Sequence, residues 1–264
     1  MPWHHVLTWM GGYAYAENLA HWEHIRHGVT LREGPHGLFN LSFSVSPDRD
    51  SVRTDREHAC AMFGFDAHEL VVPEQVHGAN VAVVGAAQRG AGALSPETAL
   101  RGCDALVTNT PRTLLGITIA DCLPVFFFDP IHRAIGLAHS GWRGTAGRIA
   151  PRTLETMAQC FGTRVRDCLI AIGPGIGPES YEVDAKVYNA FLAADTGRGV
   201  FSPARPGHWQ LDLTAAVVHQ LRALGVPPAS FDVCQWRTNR NPELFFSHRL
   251  QPGCPRMGAF LGLL

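Results

Sequence analysis

The chain has 264 residues, 46% of them hydrophobic and 17% charged, with a formal net charge of −1. That is ample length for a buried core, and the composition is that of a soluble globular protein. Near-neutral charge gives no electrostatic footing for nucleic acid or an anionic membrane, and no apolar stretch reaches the roughly 18 residues of a membrane span. Seven cysteines (Cys60, Cys103, Cys122, Cys160, Cys168, Cys234 and Cys254) make an odd set with no C-x-x-C pair, so reduced thiols are expected rather than a disulfide framework. The start, Met-Pro-Trp-His-His, has no basic head before an apolar run; no secretory signal is expected, and cytoplasm is the default.

Residues 1–26 are aromatic and histidine-rich and read as a half-exposed N-terminal extension. His21, His24 and His27 recur every third residue, a step that rotates around a helix and fixes no ligand geometry. Residues 27–45 alternate short extended pieces with Gly and Pro turns; Arg32 and Asn40 are polar residues inside that pattern. A helix is predicted over 48–64, capped by Asp48 or Asp50 and closed by Gly64. Glu74-Gln-Val-His-Gly leads into a strand, with His77 on the turn before it. A Gly, Ala and Ser loop over 86–98 is long enough to be mobile.

The strand series beginning at Cys103 contains three apolar runs, 115–120, 125–128 and 134–138. They are too short for helices and rich in Ile, Val and Phe. One helix is predicted from after Arg143 to about Cys160, with Pro151 tolerable only in its first turn. A strand from Cys168 enters a Gly-rich loop, 173–178, that matches neither a dinucleotide fingerprint nor a phosphate-binding loop with lysine. Helices are predicted over 184–194 and 212–224. Strands follow one another without intervening helices between 104 and 139. The fold class is therefore α/β of the α+β kind, a single layered domain over 27–264 with a mixed, largely antiparallel sheet.

Polar residues stand where the apolar runs end: Asp121 and Cys122 after the first, His139 after the third. His77, Cys122 and His139 lie 45 and 17 residues apart on different elements. Brought together, two imidazoles and a thiolate would suit a catalytic zinc with an open fourth position. The same trio would suit a cysteine nucleophile with a histidine base and no metal, or a buried structural cysteine with two hydrogen-bonded histidines. Asp121 is costly among apolar strands unless paired or used. Arg143, at a predicted helix start, offers a guanidinium to an anion.

Glu74-Gln-Val-His-Gly, Ala120-Asp-Cys-Leu-Pro-Val, Gly136-Leu-Ala-His-Ser-Gly-Trp-Arg-Gly and Ile172-Gly-Pro-Gly-Ile-Gly-Pro-Glu-Ser-Tyr-Glu-Val resemble the signature blocks of one family. It was first labelled multicopper polyphenol oxidoreductase (laccase) and is now regarded as zinc-dependent purine nucleoside phosphorylases. The resemblance runs from about His27 to the C-terminus. It implies a fold similar to the catalytic domain of cytotoxic necrotizing factor and a zinc on His77, Cys122 and His139. It implies phosphorolysis of adenosine, inosine, guanosine and methylthioadenosine, together with adenosine deamination. Purine nucleosides and phosphate are then the partners, with no nucleic acid, membrane or obligate protein partner.

Arg32, Asn40 and Glu182 fall on the family's H-G-x-S-T-R, N-L and S-Y-E-V blocks. A working mechanism adds Arg143, with Arg32, to hold phosphate and Asp121 to shuttle the proton in deamination. The pattern departs at Thr30-Leu-Arg, at Ser44-Val-Ser-Pro-Asp in place of H-V-G-D-D, and at Phe246-Ser-His-Arg-Leu in place of F-S-Y-R-R. Copper oxidation of polyphenols is poorly served by the sequence, which has no H-x-H pair. A metal-free Cys–His hydrolase with Cys122 as nucleophile remains the other enzyme reading.

Overall fold

The apolar runs at the centre of the sequence become strands buried on both faces. In the computed structural model, which describes residues 3–264, they belong to two six-stranded sheets. In spatial order, the first sheet runs His4–Thr8, Gly11–Tyr15, Ile25–Thr30, Met257–Leu263, Thr113–Ile119 and Leu70–Val71. The second runs Phe231–Val233, Leu169–Ile172, Leu123–Asp129, Ala134–Ser140, Ala105–Thr108 and Val81–Val83. The pairing is mostly antiparallel. Three pairs are parallel: Leu70–Val71 with Thr113–Ile119, Leu169–Ile172 with Phe231–Val233, and Val81–Val83 with Ala105–Thr108.

The sheets face each other across one core. Side chains alternate along a strand, so Phe126 and Phe128 point to the first sheet, where Leu115, Ile117 and Met257 meet them. Val125 and Phe127 point the other way, onto helices Ile149–Phe161 and Leu213–Ala223. The outer face of the first sheet, with Leu114 and Phe260, is covered by helix Arg49–Met62. The order is helix, sheet, sheet, helix. A strand covered on both faces carries an unbroken apolar run rather than an alternating one, and Leu123–Asp129 reads that way.

Several local expectations meet the structure directly. Asp48 caps helix Arg49–Met62 by accepting from the backbone of Asp50 and Ser51. Helices Ala185–Ala193 and Leu213–Ala223 each start on an aspartate cap, Asp184 and Asp212. The single helix predicted after Arg143 is two, Trp142–Ala146 and Ile149–Phe161. The break is Arg148, which adopts a left-handed backbone (φ 63°). Pro151 then sits in the first turn of the second helix, where its missing N–H costs nothing.

The 86–98 segment is pinned. Val72 donates to the Ala91 carbonyl, Gly90 to the Leu70 carbonyl, and Gly92 to Thr98 Oγ1. At the N-terminus, residues 4–15 form a hairpin that extends the first sheet through Tyr13 and Ala14. His27 lies in the core with its Nε2 bonded to the Ala16 backbone, and burial pushes its pKa down to about 4. His21 and His24 are exposed, so the three do not converge. All seven cysteines are free.

Candidate metal centre and cleft

The site is built where the two sheets exchange chain. Residues 120–122 carry the backbone from the end of Thr113–Ile119 in the first sheet to the start of Leu123–Asp129 in the second. His139 sits one residue from the end of Ala134–Ser140, paired in register with Pro124. His77 comes from the turn before edge strand Val81–Val83. One donor atom from each of His77, Cys122 and His139 lies within 4.8 Å of the other two. Among the described residues this is the one such group of three. His139 is buried, Cys122 half-buried and His77 exposed, so the group opens to the cleft on one side.

Asp104 holds the trio together. Its carboxylate is fully buried and accepts from His139 Nδ1 at 2.9 Å. It also accepts from the backbone N–H groups of Val76, His77 and Gly78 at 3.1, 2.9 and 2.7 Å. Burial alone would raise its pKa; these donors outweigh burial and hold it below the usual carboxylate value. The bond to Nδ1 turns His139 Nε2 toward Cys122 and His77, the orientation that a carboxylate behind a metal-ligating histidine imposes.

Gln75 adds a second rivet. Its amide donates to the Thr118 carbonyl and accepts from the Thr118 N–H, both at 2.8 Å. Gln75 and His77 both adopt left-handed backbones (φ 58° and 59°). Such conformations cost roughly 1–3 kcal/mol each and persist only where the surroundings enforce them.

The charges fit a metal. Burial pushes the Cys122 thiol up, but the His139 imidazolium and hydrogen bonds from His139 and His77 overcome it and hold the thiol well below its ordinary value. His139 is pulled down by burial and raised further by the Cys122 thiolate and Asp104. Gly141 leaves the space. A Cβ there would stand 2.8 Å from Cys122 Sγ and 3.5 Å from the His77 ring. A thiolate, two imidazoles, a carboxylate behind one of them and an open side suit zinc.

A cleft of about 690 Å³ opens beside the trio, a size ordinary for small-molecule sites. Its lining includes Asp121, Trp142, Arg143, Tyr181, His248 and Arg249. The Arg143 guanidinium lies 4.4 Å from the Trp142 ring centre, and that of Arg249 lies 5.2 Å from Tyr181's. Among the described residues neither guanidinium has a carboxylate within ion-pair reach. Burial, reinforced by the Cys122 charge, pushes the Tyr181 phenol up, so it carries its proton at neutral pH.

The other sequence-derived site residues divide. Asp121 lines the cleft with a left-handed backbone (φ 91°), but both carboxylate oxygens are engaged. Oδ1 accepts from Thr238 Oγ1 at 2.5 Å and Oδ2 from the Arg249 N–H at 2.7 Å. Through Oδ2 the Asp121 carboxylate holds the Arg249 backbone at the edge of the cleft. Arg32, Asn40 and Glu182 do not line the cleft; each holds a segment that does or that leads to one. Arg32 donates to the Pro242 carbonyl and lies over Phe246. Asn40 Oδ1 accepts from the N–H groups of Ser42 and Arg256. Glu182 pairs its carboxylate with Arg205 and offers its carbonyl to Arg249.

Asp104, Tyr181 and Arg249 are the residues that sequence reasoning missed. For Asp104 the signal was present: it opens an apolar strand as Asp121 closes one, and the same cost argument applies.

A cationic cleft beside a His-Cys-His group able to hold a metal, on a two-sheet α/β fold, is the class of protein the geometry defines. The family model described as "Multi-copper polyphenol oxidoreductase laccase" matches residues 20–264, and the chain belongs to that family. It is 37% identical over 246 residues to "Purine nucleoside phosphorylase YlmD" of Geobacillus stearothermophilus, covering 90% of this chain and 87% of that one. It is 35% identical over 242 residues to "Purine nucleoside phosphorylase" of Bacteroides thetaiotaomicron, covering 88% and 89%. The crystal structure of Bacillus licheniformis hypothetical protein YfiH superposes with a TM-score of 0.89 at 30% identity, over 92% and 94% of the two chains.

Proposed function

We propose that this chain is a zinc-dependent purine nucleoside phosphorylase acting on adenosine, inosine, guanosine and methylthioadenosine, with adenosine deaminase activity at the same site. The observation that carries the reading is the His77, Cys122 and His139 trio, backed by Asp104 and facing a cleft lined by guanidinium groups, Arg143 and Arg249 among them, that lack carboxylate partners among the described residues. The names of the relatives supply the reaction class.

In phosphorolysis a phosphate oxygen bonds the anomeric carbon, the C–N bond to the purine breaks, and the departing base takes a proton. Arg143 and Arg249 would hold phosphate, and each guanidinium lies against an aromatic ring that limits its motion. Tyr181 presents a phenol that stays protonated beside the trio and can donate to the leaving base. Zinc on the three ligands supplies Lewis acidity and acidifies water. The trio's other reading, a thiolate nucleophile with His139 as its base, rests on the depressed Cys122 thiol.

One incubation separates the readings. Purified protein is given adenosine with and without phosphate, and adenine, inosine and ribose 1-phosphate are quantified. Adenine and ribose 1-phosphate released only with phosphate support phosphorolysis, and inosine released without it supports deamination. Neither product from zinc-loaded protein would remove the proposal.

A further inference from the structure

Arg56 is the most deeply buried arginine of the cleft, and nothing in the proposed reaction uses it. It is 4% exposed, on helix Arg49–Met62. Its Nε donates to the Leu41 carbonyl at 2.8 Å and its Nη1 to the carbonyls of Gly92 and Ala93 at 2.5 and 2.7 Å. The Phe43 ring lies 4.5 Å from the guanidinium carbon. Its Nη2 makes no hydrogen bond among the described residues, and no carboxylate among them lies within ion-pair reach. Burial pushes its pKa down to about 10, which leaves it charged at neutral pH. A buried charge without a counter-charge is unfavourable. Three carbonyl dipoles offset part of that cost, and a bound anion would offset the rest.

Other cationic and hydroxyl groups line the same cleft. Asn40 Oδ1 draws the Ser42 and Arg256 backbones together. Arg256 lines the same cleft, half-buried, with no carboxylate partner among the described residues. Its Nη1 is tied to the carbonyl and Sγ of Cys254, which fixes the guanidinium in place. The hydroxyls of Ser42 and Ser44, 2.9 Å apart, line the wall alongside. Of the lining carboxylates, Glu74 is paired with Arg101 at 3.2 Å and Asp121 is engaged by Thr238 and the Arg249 backbone. None of the hydrogen bonds that fix the metal trio reaches this part of the wall.

We propose that Arg56 and Arg256, with the hydroxyls of Ser42 and Ser44, form a second anion subsite that takes the phosphate of a phosphate monoester, so that the cleft accepts nucleosides bearing a 5′-phosphate. The subsite stands on its own geometry; the nucleoside part of the ligand rests on the proposed function.

The test is calorimetric binding of adenosine, adenosine 5′-monophosphate and inorganic phosphate to zinc-loaded protein. The monophosphate should bind at least about tenfold more tightly than adenosine, the value of one charge-assisted contact. Arg256→Gln should erase most of that preference and leave adenosine affinity unchanged. Arg56→Lys keeps the charge but loses the planar fork, and should erase part of it; a melting curve checks that the fold survives. Arg256 is the more accessible of the two, so its variant keeps the test decisive if the Arg56 variant unfolds.

The preference should persist in Cys122→Ser. If it vanishes there but survives Arg256→Gln, the phosphate sits on the metal and the subsite is wrong. If only inorganic phosphate responds to Arg256→Gln, the subsite stands with free phosphate as its occupant. If no ligand responds, the subsite is wrong. Failure of phosphorolysis with the monophosphate preference intact would remove the proposed reaction and leave the subsite standing.

Discussion

Replacing Asp104 by Asn tests how the metal centre is held. The amide has nearly the carboxylate's shape but no charge, and one of its two ends donates. Four N–H donors converge on the native carboxylate, three from the 76–78 turn and one from His139 Nδ1. Bonds to a charged acceptor are worth about 1.5–3 kcal/mol each. The amide keeps some of them and turns its NH₂ against others, so a net loss of about 3 kcal/mol is expected. At about 2–4 °C per kcal/mol for a chain of this size, the melting point should fall by roughly 10 °C.

Loss of the carboxylate behind a ligating histidine typically costs about 10–100-fold in metal affinity. Chelator competition should show that loss, alongside a proportionate drop in turnover at limiting zinc. The pH dependence adds a signature. Asp104 has a lower pKa folded than unfolded. Its contribution is therefore complete above the unfolded value near 3.9 and is lost as pH falls through the folded one. The stability gap between wild type and variant should close below about pH 4. Unchanged zinc affinity with an unchanged melting point would refute the role given to Asp104.

Gly141→Ala should place a methyl 2.8 Å from Cys122 Sγ and displace the ligands; zinc content measured by elemental analysis should fall while circular dichroism stays native. In metal-stripped protein near pH 7, iodoacetamide should modify Cys122 well before Cys60, Cys103, Cys168 and Cys234, whose thiols burial pushes up. Peptide mapping reads the order, and zinc should protect Cys122; equal rates would contradict the thiolate assignment. Phe127→Ala, at a fully buried ring between sheet and helices, should cost about 3–5 kcal/mol in denaturant unfolding without altering zinc stoichiometry.

The strands and most helices were legible because their signals are local. Apolar runs without alternation identify strands covered on both faces, and Asp48 is a helix cap readable from its position. The break at Arg148 was not legible, because a left-handed arginine is imposed by packing rather than by propensity. The pinned 86–98 segment was missed for a similar reason, since its partners are backbone groups of residues 70–72.

Within the site, His77, Cys122 and His139 stood out as reactive residue types at strand ends, but only the fold brings them together across 45 and 17 residues. The motif blocks carrying Arg32, Asn40 and Glu182 mark segments next to the cleft, but these three side chains do not line it. For two of the three a residue close in sequence lines the cleft: Tyr181 next to Glu182, and Ser42 two residues from Asn40. Side-chain direction there is set by turns whose hydrogen bonds close over long sequence distances, as between Asn40 and Arg256.

Metal content measured together with turnover, for wild type and for Cys122→Ser, bears most directly on the centre of the account. Elemental analysis of wild type should give about one zinc per chain, with phosphate-dependent release of adenine from adenosine. The variant should lose the zinc and the turnover in parallel, and added zinc should not restore them. Full phosphorolysis by a zinc-free wild type, or by the zinc-free variant, would contradict the assignment of His77, Cys122 and His139 as a catalytic metal centre.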